Sequence, residues 1–267
     1  MSVTLLIAVA LRTGDPEIAE ALDRLNAFRR KARLTAVTLD ERLCRGCASH
    51  AEYLVRNDKH PSVQGLGIHD EDRSLPGYTA EGARAGSASN ISTYPPSAAA
   101  SWCMATLFHR IPILHPGLRR VGIGYARGGR WGWISVIDVM NGRQHGKPSP
   151  PVLWPVDGAG DAPLSLESEN PNPIPQDKDG KGGHPITASF FGGEAVRAVK
   201  ATLKAGDEDV PFWLSTPEAP VDPRFQANTI CLIPKDPLRP GTLYTVTLSA
   251  RVNGKAWAKR WSFTTGP

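Results

Sequence analysis

The chain has 267 residues, 40% hydrophobic and 21% charged, which is enough apolar material for two cores and excludes an intrinsically disordered protein. The net charge is +5. Its 31 basic residues are scattered, which argues against a nucleic-acid-binding tail and leaves only a slight bias toward acidic partners.

Residues 1–14, MSVTLLIAVALRTG, contain the apolar run Val3–Leu11. The run is too short to span a bilayer and has the length of a signal-peptide core, with Ala8-Val9-Ala10 as a small-residue cleavage site. No charged segment precedes it. The stretch reads as the remnant of an export signal, which implies an extracellular or cell-envelope location without a transmembrane segment.

From Asp15 to Lys31, the residues Ile18, Leu22, Leu25 and Phe28 recur at spacings of four and three. This predicts an amphipathic helix opened by Asp15 before Pro16. Arg29, Arg30, Lys31 and Arg33 at its end favour the helix dipole. Asp40 is placed to cap a second helix, DERLCRGCASHAEYLVRN, with Leu43, Cys47, Ala51 and Leu54 on its inner face. A loop of nearly forty residues follows, and loops that long in a compact domain usually carry function. A third helix is expected from near Ser97 through Trp102 to Phe108 or His109, ended by Pro112. VGIGYA and WGWISVIDV then read as two strands turning at Gly128-Gly129. Helices followed by an antiparallel pair make residues 15–141 an α+β domain.

The four cysteines, Cys44, Cys47, Cys103 and Cys231, are too few for a disulfide scaffold. CRGC lies within a helical pattern and has no second pair to complete a zinc site. Packing, together with one bridge to Cys103, is the favoured role over redox or metal work.

Residues 142–151 read as a linker at the start of a proline-rich stretch that forbids a long helix. From 152 to 267 the pattern is all β, with about seven short strands, the number in an immunoglobulin-like sandwich. Its clearest piece is the last hairpin: Tyr244, Val246, Leu248 and Ala250 alternate with polar residues, Asn253-Gly254 turns the chain, and Trp257, Trp261 and Phe263 return on one face.

Histidine is the natural acid–base group and metal ligand to look for. His50 reads as a packing residue of the second helix, His60 and His115 as loop residues before proline, and His184 as a turn residue. His69 stands among Asp70, Glu71 and Asp72 in the long loop. His109 and Arg110 interrupt an apolar segment, LFHRIPIL, which places His109 either in the core or facing a cleft.

Several of these residues occur in a familiar order. Asn26, Arg29 or Arg30, Leu39, Asp40, Leu43, Ala48, His50 and Ala51 are followed by Trp102, His109, Arg110, Leu114, Pro116, Gly122 and Gly124. The stretch 20–140 resembles the CAP superfamily (cysteine-rich secretory, antigen 5, pathogenesis-related-1; also SCP) in its bacterial extracellular branch. The resemblance implies an α-β-α sandwich with a cleft holding two histidines and two glutamates, sometimes with a divalent metal such as zinc. On that pattern His109 is the second histidine, and His69 is the first, with His60 as its rival. The glutamates are incomplete. SASNI puts Ser89 where one belongs, Glu81 reaches the cleft only from a shifted loop, Glu71 is a partner for His69, and the second glutamate near Trp102 is missing. The catalytic candidates are therefore His69, Glu81 and His109, and the metal candidates are His69, Glu71, Glu81 and His109.

The C-terminal pattern, with Pro240, Gly241, Tyr244, Asn253, Gly254, Trp261 and Phe263, resembles the Ig-like modules of bacterial surface proteins. Such modules act as spacers or adhesion surfaces. The implied function is binding of a lipid-like or protein ligand, with a cell-envelope component as a further partner and no nucleic acid. A metal-assisted or His/Glu-based, peptidase-like hydrolase using the CAP cleft and a structural envelope protein with a vestigial cleft are the alternatives.

Overall fold

The computed structural model describes residues 15–144, 149–175 and 181–267. The export-signal reading of 1–14 lies outside them. By internal contacts the chain divides into two compact units. The first takes in 15–25, 37–100 and 119–143; the second takes in 26–36, 101–118 and the chain from 144 onward. Among the described residues no helix is long and apolar enough to cross a membrane.

The predicted first helix is α1, Pro16–Lys31. In the first unit, helix α2 (Glu41–Arg56) starts where Asp40 predicts, because the Asp40 carboxylate accepts from the backbone N–H of Arg42 and Leu43. It packs against a four-stranded sheet of β1 (Thr38–Leu39), β2 (Ser89–Ser92), β3 (Arg120–Gly128) and β4 (Gly132–Asp138) in the order β1-β3-β4-β2. β1 runs parallel to β3, and the other pairs are antiparallel. The approach of α2 to β3 is close enough to require glycine. A methyl group at Gly122 would collide with the Leu43 backbone, and one at Gly124 with that of Cys47 and Ala48. Between helix and sheet lie Cys47, Ala51, Leu54, Ile134 and Val136.

The stretch expected as one long loop is more structured than its composition suggests. It holds 3-10 turns at Pro61–Val63 and Gly65–His69, a short helix α3 (Ala80–Gly86) and strand β2. Strand β2 has the sequence SNIS, buried at every position. Polar residues on both faces leave no period-2 signal for sequence reading to detect.

Helix α4 spans Pro96–Ala105 and stops short of the predicted end; a separate short helix α5, Arg110–Ile113, contains Pro112. The interruption has a physical cause. The Glu169 carboxylate accepts from the backbone N–H of Leu107 (2.6 Å) and Phe108 (3.0 Å), and so satisfies donors that a continuing helix would have paired.

The second unit contains two four-stranded sheets. One has the order β5-β6-β10-β9, built from β5 (Val152–Trp154), β6 (Ile186–Ser189), β9 (Phe212–Ser215) and β10 (Thr229–Pro234). The other has the order β12-β11-β7-β8, built from β7 (Val196–Ala205), β8 (Glu208–Asp209), β11 (Leu243–Val252) and β12 (Lys255–Thr264). Ile186, Ile230 and Leu232 from the first sheet meet Leu203, Val246, Leu248 and Phe263 from the second in one core. With the helical first half, this makes an α+β chain ending in a β-sandwich. The last hairpin turns at Asn253 (φ 49°) and Gly254 (φ 78°), the positive pair such a two-residue turn needs. Strand β10 is buried along its whole length because its outer residues, Cys231 and Ile233, are covered by Leu107, Phe108, Ile111 and Ile174. All four cysteines are buried free thiols, so the bridge to Cys103 does not form.

Candidate functional site

In the first unit, His50 is fully buried and its ring spans two acceptors. Nε2 lies 2.8 Å from the Ile68 carbonyl and Nδ1 lies 2.9 Å from Glu71 Oε1. A carbonyl cannot donate, so Nε2 carries a proton, and a second proton lies on the line between Nδ1 and the carboxylate. The other Glu71 oxygen accepts from the Thr79 N–H at 2.9 Å. Glu71 is therefore committed to His50 and not to His69, which corrects the expected His69–Glu71 pairing. The residue at 86 must be glycine, because a methyl group there would overlap the His50 ring. The pair ties the middle of α2 to the chain on both sides of α3.

His69 places its Nδ1 3.0 Å from the Gly86 carbonyl, so Nδ1 carries the proton and Nε2 is the acceptor position of the neutral ring. His60 is a local cap, with Nδ1 on the Ser62 hydroxyl at 2.8 Å. Glu81 is exposed on α3 and lines a pocket of about 230 Å³ with Asp40, Arg42, Arg84, Arg120 and Asp138. No histidine lines that pocket. Burial pushes the Asp138 carboxyl up, opposed by hydrogen bonds from the Asn141 side chain and backbone and from Met140 N–H.

In the second unit, His109 is held by a residue that sequence reading missed. Its Nδ1 lies 2.9 Å from Glu169 Oε2, and the Glu169 side chain is fully buried while that of His109 is 12% exposed. Glu169 already accepts two backbone N–H groups, so it acts as a carboxylate and the shared proton sits on Nδ1. This fixes the tautomer of neutral His109 with its lone pair on Nε2, the usual effect of a carboxylate behind an imidazole. Trp102 forms one wall of the site. Its ring centroid is 4.5 Å from that of His109, and its indole N–H donates to the Ser168 carbonyl at 3.2 Å. The 168–169 segment thus grips α4 and the turn after it at two points. Its sequence signal is faint. SLESEN carries two glutamates inside a proline-rich tract, and nothing in their spacing points 60 positions back to His109.

Arg110, next in the chain, turns the other way. It is fully buried and donates to the carbonyls of Met104 (3.2 Å) and Pro185 (2.8 Å) and to His184 Nε2 (3.0 Å). His184 is not the turn residue expected; it is 0% exposed.

These residues do not fit a bound metal. Among the described residues no group of three or more His, Cys, Asp and Glu is placed to hold one, and Glu71 is spent on His50. A search of curated proteins returns no match. The stretch 22–138 does match a family model, that of the cysteine-rich secretory protein family; it contains His50, His69, Glu71, Glu81, Trp102 and His109 but not Glu169. By that match, residues 22–138 of this chain belong to the CAP family.

Proposed function

We propose that the chain is an exported binding protein of the cell envelope or extracellular space. Its CAP domain takes a lipid-like ligand against Trp102 and His109, and its Ig-like sandwich serves as a spacer or adhesion surface. The observation that carries this reading is the pairing of an aromatic wall with one imidazole whose tautomer is fixed from behind by a buried carboxylate. Apolar contact area with a small number of oriented polar groups is the chemistry of a ligand site. Glu169 takes the place of the carboxylate that the CAP pattern calls for near Trp102.

The test uses phosphatidylcholine vesicles with and without sterol as probe. Trp102→Ala is expected to weaken vesicle binding roughly tenfold, the loss of one buried aromatic anchor. His109→Ala is expected to leave affinity largely intact and to change its pH dependence. Equal binding by wild type and Trp102→Ala would overturn the reading.

The Glu169–His109 arrangement also favours a second reading, hydrolysis with Nε2 as general base. In that case His109→Ala would lose at least about a hundredfold in turnover of an ester or peptide substrate while remaining folded.

A further inference from the structure

The scattered basic residues of the C-terminal half are gathered by the fold. Strands β7, β11 and β12 carry seven Lys and Arg and no Asp or Glu. Strand register decides which of these share a face, because side chains alternate and paired residues point the same way. Along β11 the outward positions are Thr245, Thr247, Ser249 and Arg251, alternating with the buried Tyr244, Val246, Leu248 and Ala250. Opposite them on β7 stand Lys204, Thr202, Lys200 and Arg197, and on β12 Ser262, Arg260, Ala258 and Ala256. The outer face of these three strands therefore holds five cations and five hydroxyls and no aromatic ring, and the carboxylate that joins their rows is Asp209 of the edge strand β8, opposite Lys204.

Two details indicate an unmatched surface rather than an ordinary solvated one. Arg197 and Arg251 are direct cross-strand partners, and like charges placed so destabilise a sheet. Among the described residues, Lys204 alone of the five has an ion-pair partner, Asp209 at 2.9 Å on the edge strand. Arg251 donates to the Gly254 carbonyl, and Glu218 is spent on the Ala198 N–H beside Arg197. The remaining cations form no ion pair among the described residues, and Arg197, Lys200, Arg251 and Arg260 are all exposed.

We propose that this face binds an anionic polysaccharide. The cations meet carboxylate, sulfate or phosphate groups, and the threonine and serine rows hydrogen-bond sugar hydroxyls. Strand spacing of about 4.8 Å and side-chain repeats of about 6.6 Å along each strand give a flat grid suited to an extended chain. A single-stranded nucleic acid would need aromatic platforms for its bases, and this face has none. The site is separate from Trp102 and His109, so it stands or falls independently of the ligand proposed there.

The test is binding of the full chain to heparin as a sulfated glycan and to polygalacturonate as a carboxylated one, with neutral dextran as control. Both anionic glycans are expected to bind, weakening on the order of a hundredfold between ~50 and ~200 mM salt, as four charge contacts would. The combined variant Arg197→Gln, Arg251→Gln, Arg260→Gln is expected to lose at least ~30-fold in affinity at low salt, by the same counterion argument. Its melting temperature should not fall, since the substituted side chains are exposed. Trp102→Ala should bind heparin as wild type does. Undiminished heparin binding by the triple variant would overturn the proposal. So would an equal loss in the control Arg24→Gln, Arg42→Gln, Arg84→Gln, which removes the same charge elsewhere. Tighter binding of single-stranded DNA than of either glycan, abolished by the same triple substitution, would contradict the choice of partner.

Discussion

Replacing Arg110 by methionine is expected to destabilise the second unit by on the order of 4 kcal/mol in urea denaturation. The substitution leaves the Met104 and Pro185 carbonyls without donors, each a cost of about 1–3 kcal/mol in a buried setting, and removes the donor to His184. The guanidinium is itself desolvated there. Burial pulls its pKa down to about 10, opposed by the nearby Cys231 and Glu169, while the Cys231 thiol is pushed up to about 12, also by burial.

The partner makes the same contact sensitive to acid. Arg110 donates to His184 Nε2, so His184 must be neutral. The Ser165 carbonyl faces its ring, but Nδ1 has no partner of full hydrogen-bond geometry. Burial first and the Arg110 charge second hold the His184 pKa well below its ordinary 6.5. In the unfolded chain the imidazole takes a proton near pH ~6.5, while in the folded chain it does not. Stability is therefore fully present above that pH and is lost as the pH falls toward the depressed folded value. His184→Gln keeps an acceptor for Arg110 without a titrating ring. The difference in unfolding free energy between wild type and His184→Gln should change in favour of the variant between pH 7.5 and pH 5, and a pH-independent difference would contradict this linkage.

Arg29→Ala is expected to be at least as damaging, at about 4 kcal/mol or more, because four buried or half-buried carbonyls lose their donor at once. Arg29 is fully buried. Its Nε reaches Thr35 O at 2.9 Å, Nη1 reaches Ile113 O at 2.6 Å and His115 O at 3.1 Å, and Nη2 reaches Leu118 O at 3.0 Å. One planar fork thus closes the end of α1 and fastens the chain that follows α5. Arg29→Lys should recover only a minor part of the loss, since an ammonium is a point charge that cannot reproduce the fork. Urea titrations of the two variants would show this, and a lysine variant as stable as wild type would refute the role assigned to the fork.

These residues also mark where sequence reading succeeded and where it stopped. Ile18, Leu22, Leu25 and Phe28 announce α1, Asp40 announces the start of α2, and Asn253-Gly254 announces the last hairpin, because periodicity, capping and turn chemistry are local. The run from Arg29 to Arg33 reads as a solvated helix end. Only the fold separates exposed Arg30 from buried Arg29, because three of the four carbonyls that bind Arg29 lie 84 to 89 positions along the chain. His184 reads as a turn residue for the same reason: its partner lies 74 positions away. Glu169 is the sharpest case. It sits in a proline-rich tract outside the stretch that carries the CAP pattern, yet it determines how α4 ends and which nitrogen of His109 bears a proton. The basic sheet face was hidden differently. Its cations are spread from Arg197 to Arg260, and only strand register brings them together.

Glu169 fixes His109 at the centre of the site, and nitrogen-15 NMR of the imidazole at neutral to mildly alkaline pH tests this most directly. Wild type is predicted to show the His109 ring with its proton on Nδ1 and none on Nε2, and Glu169→Gln to disturb that tautomer preference. A wild-type His109 protonated on Nε2 alone, or a tautomer ratio unchanged in Glu169→Gln, would contradict it.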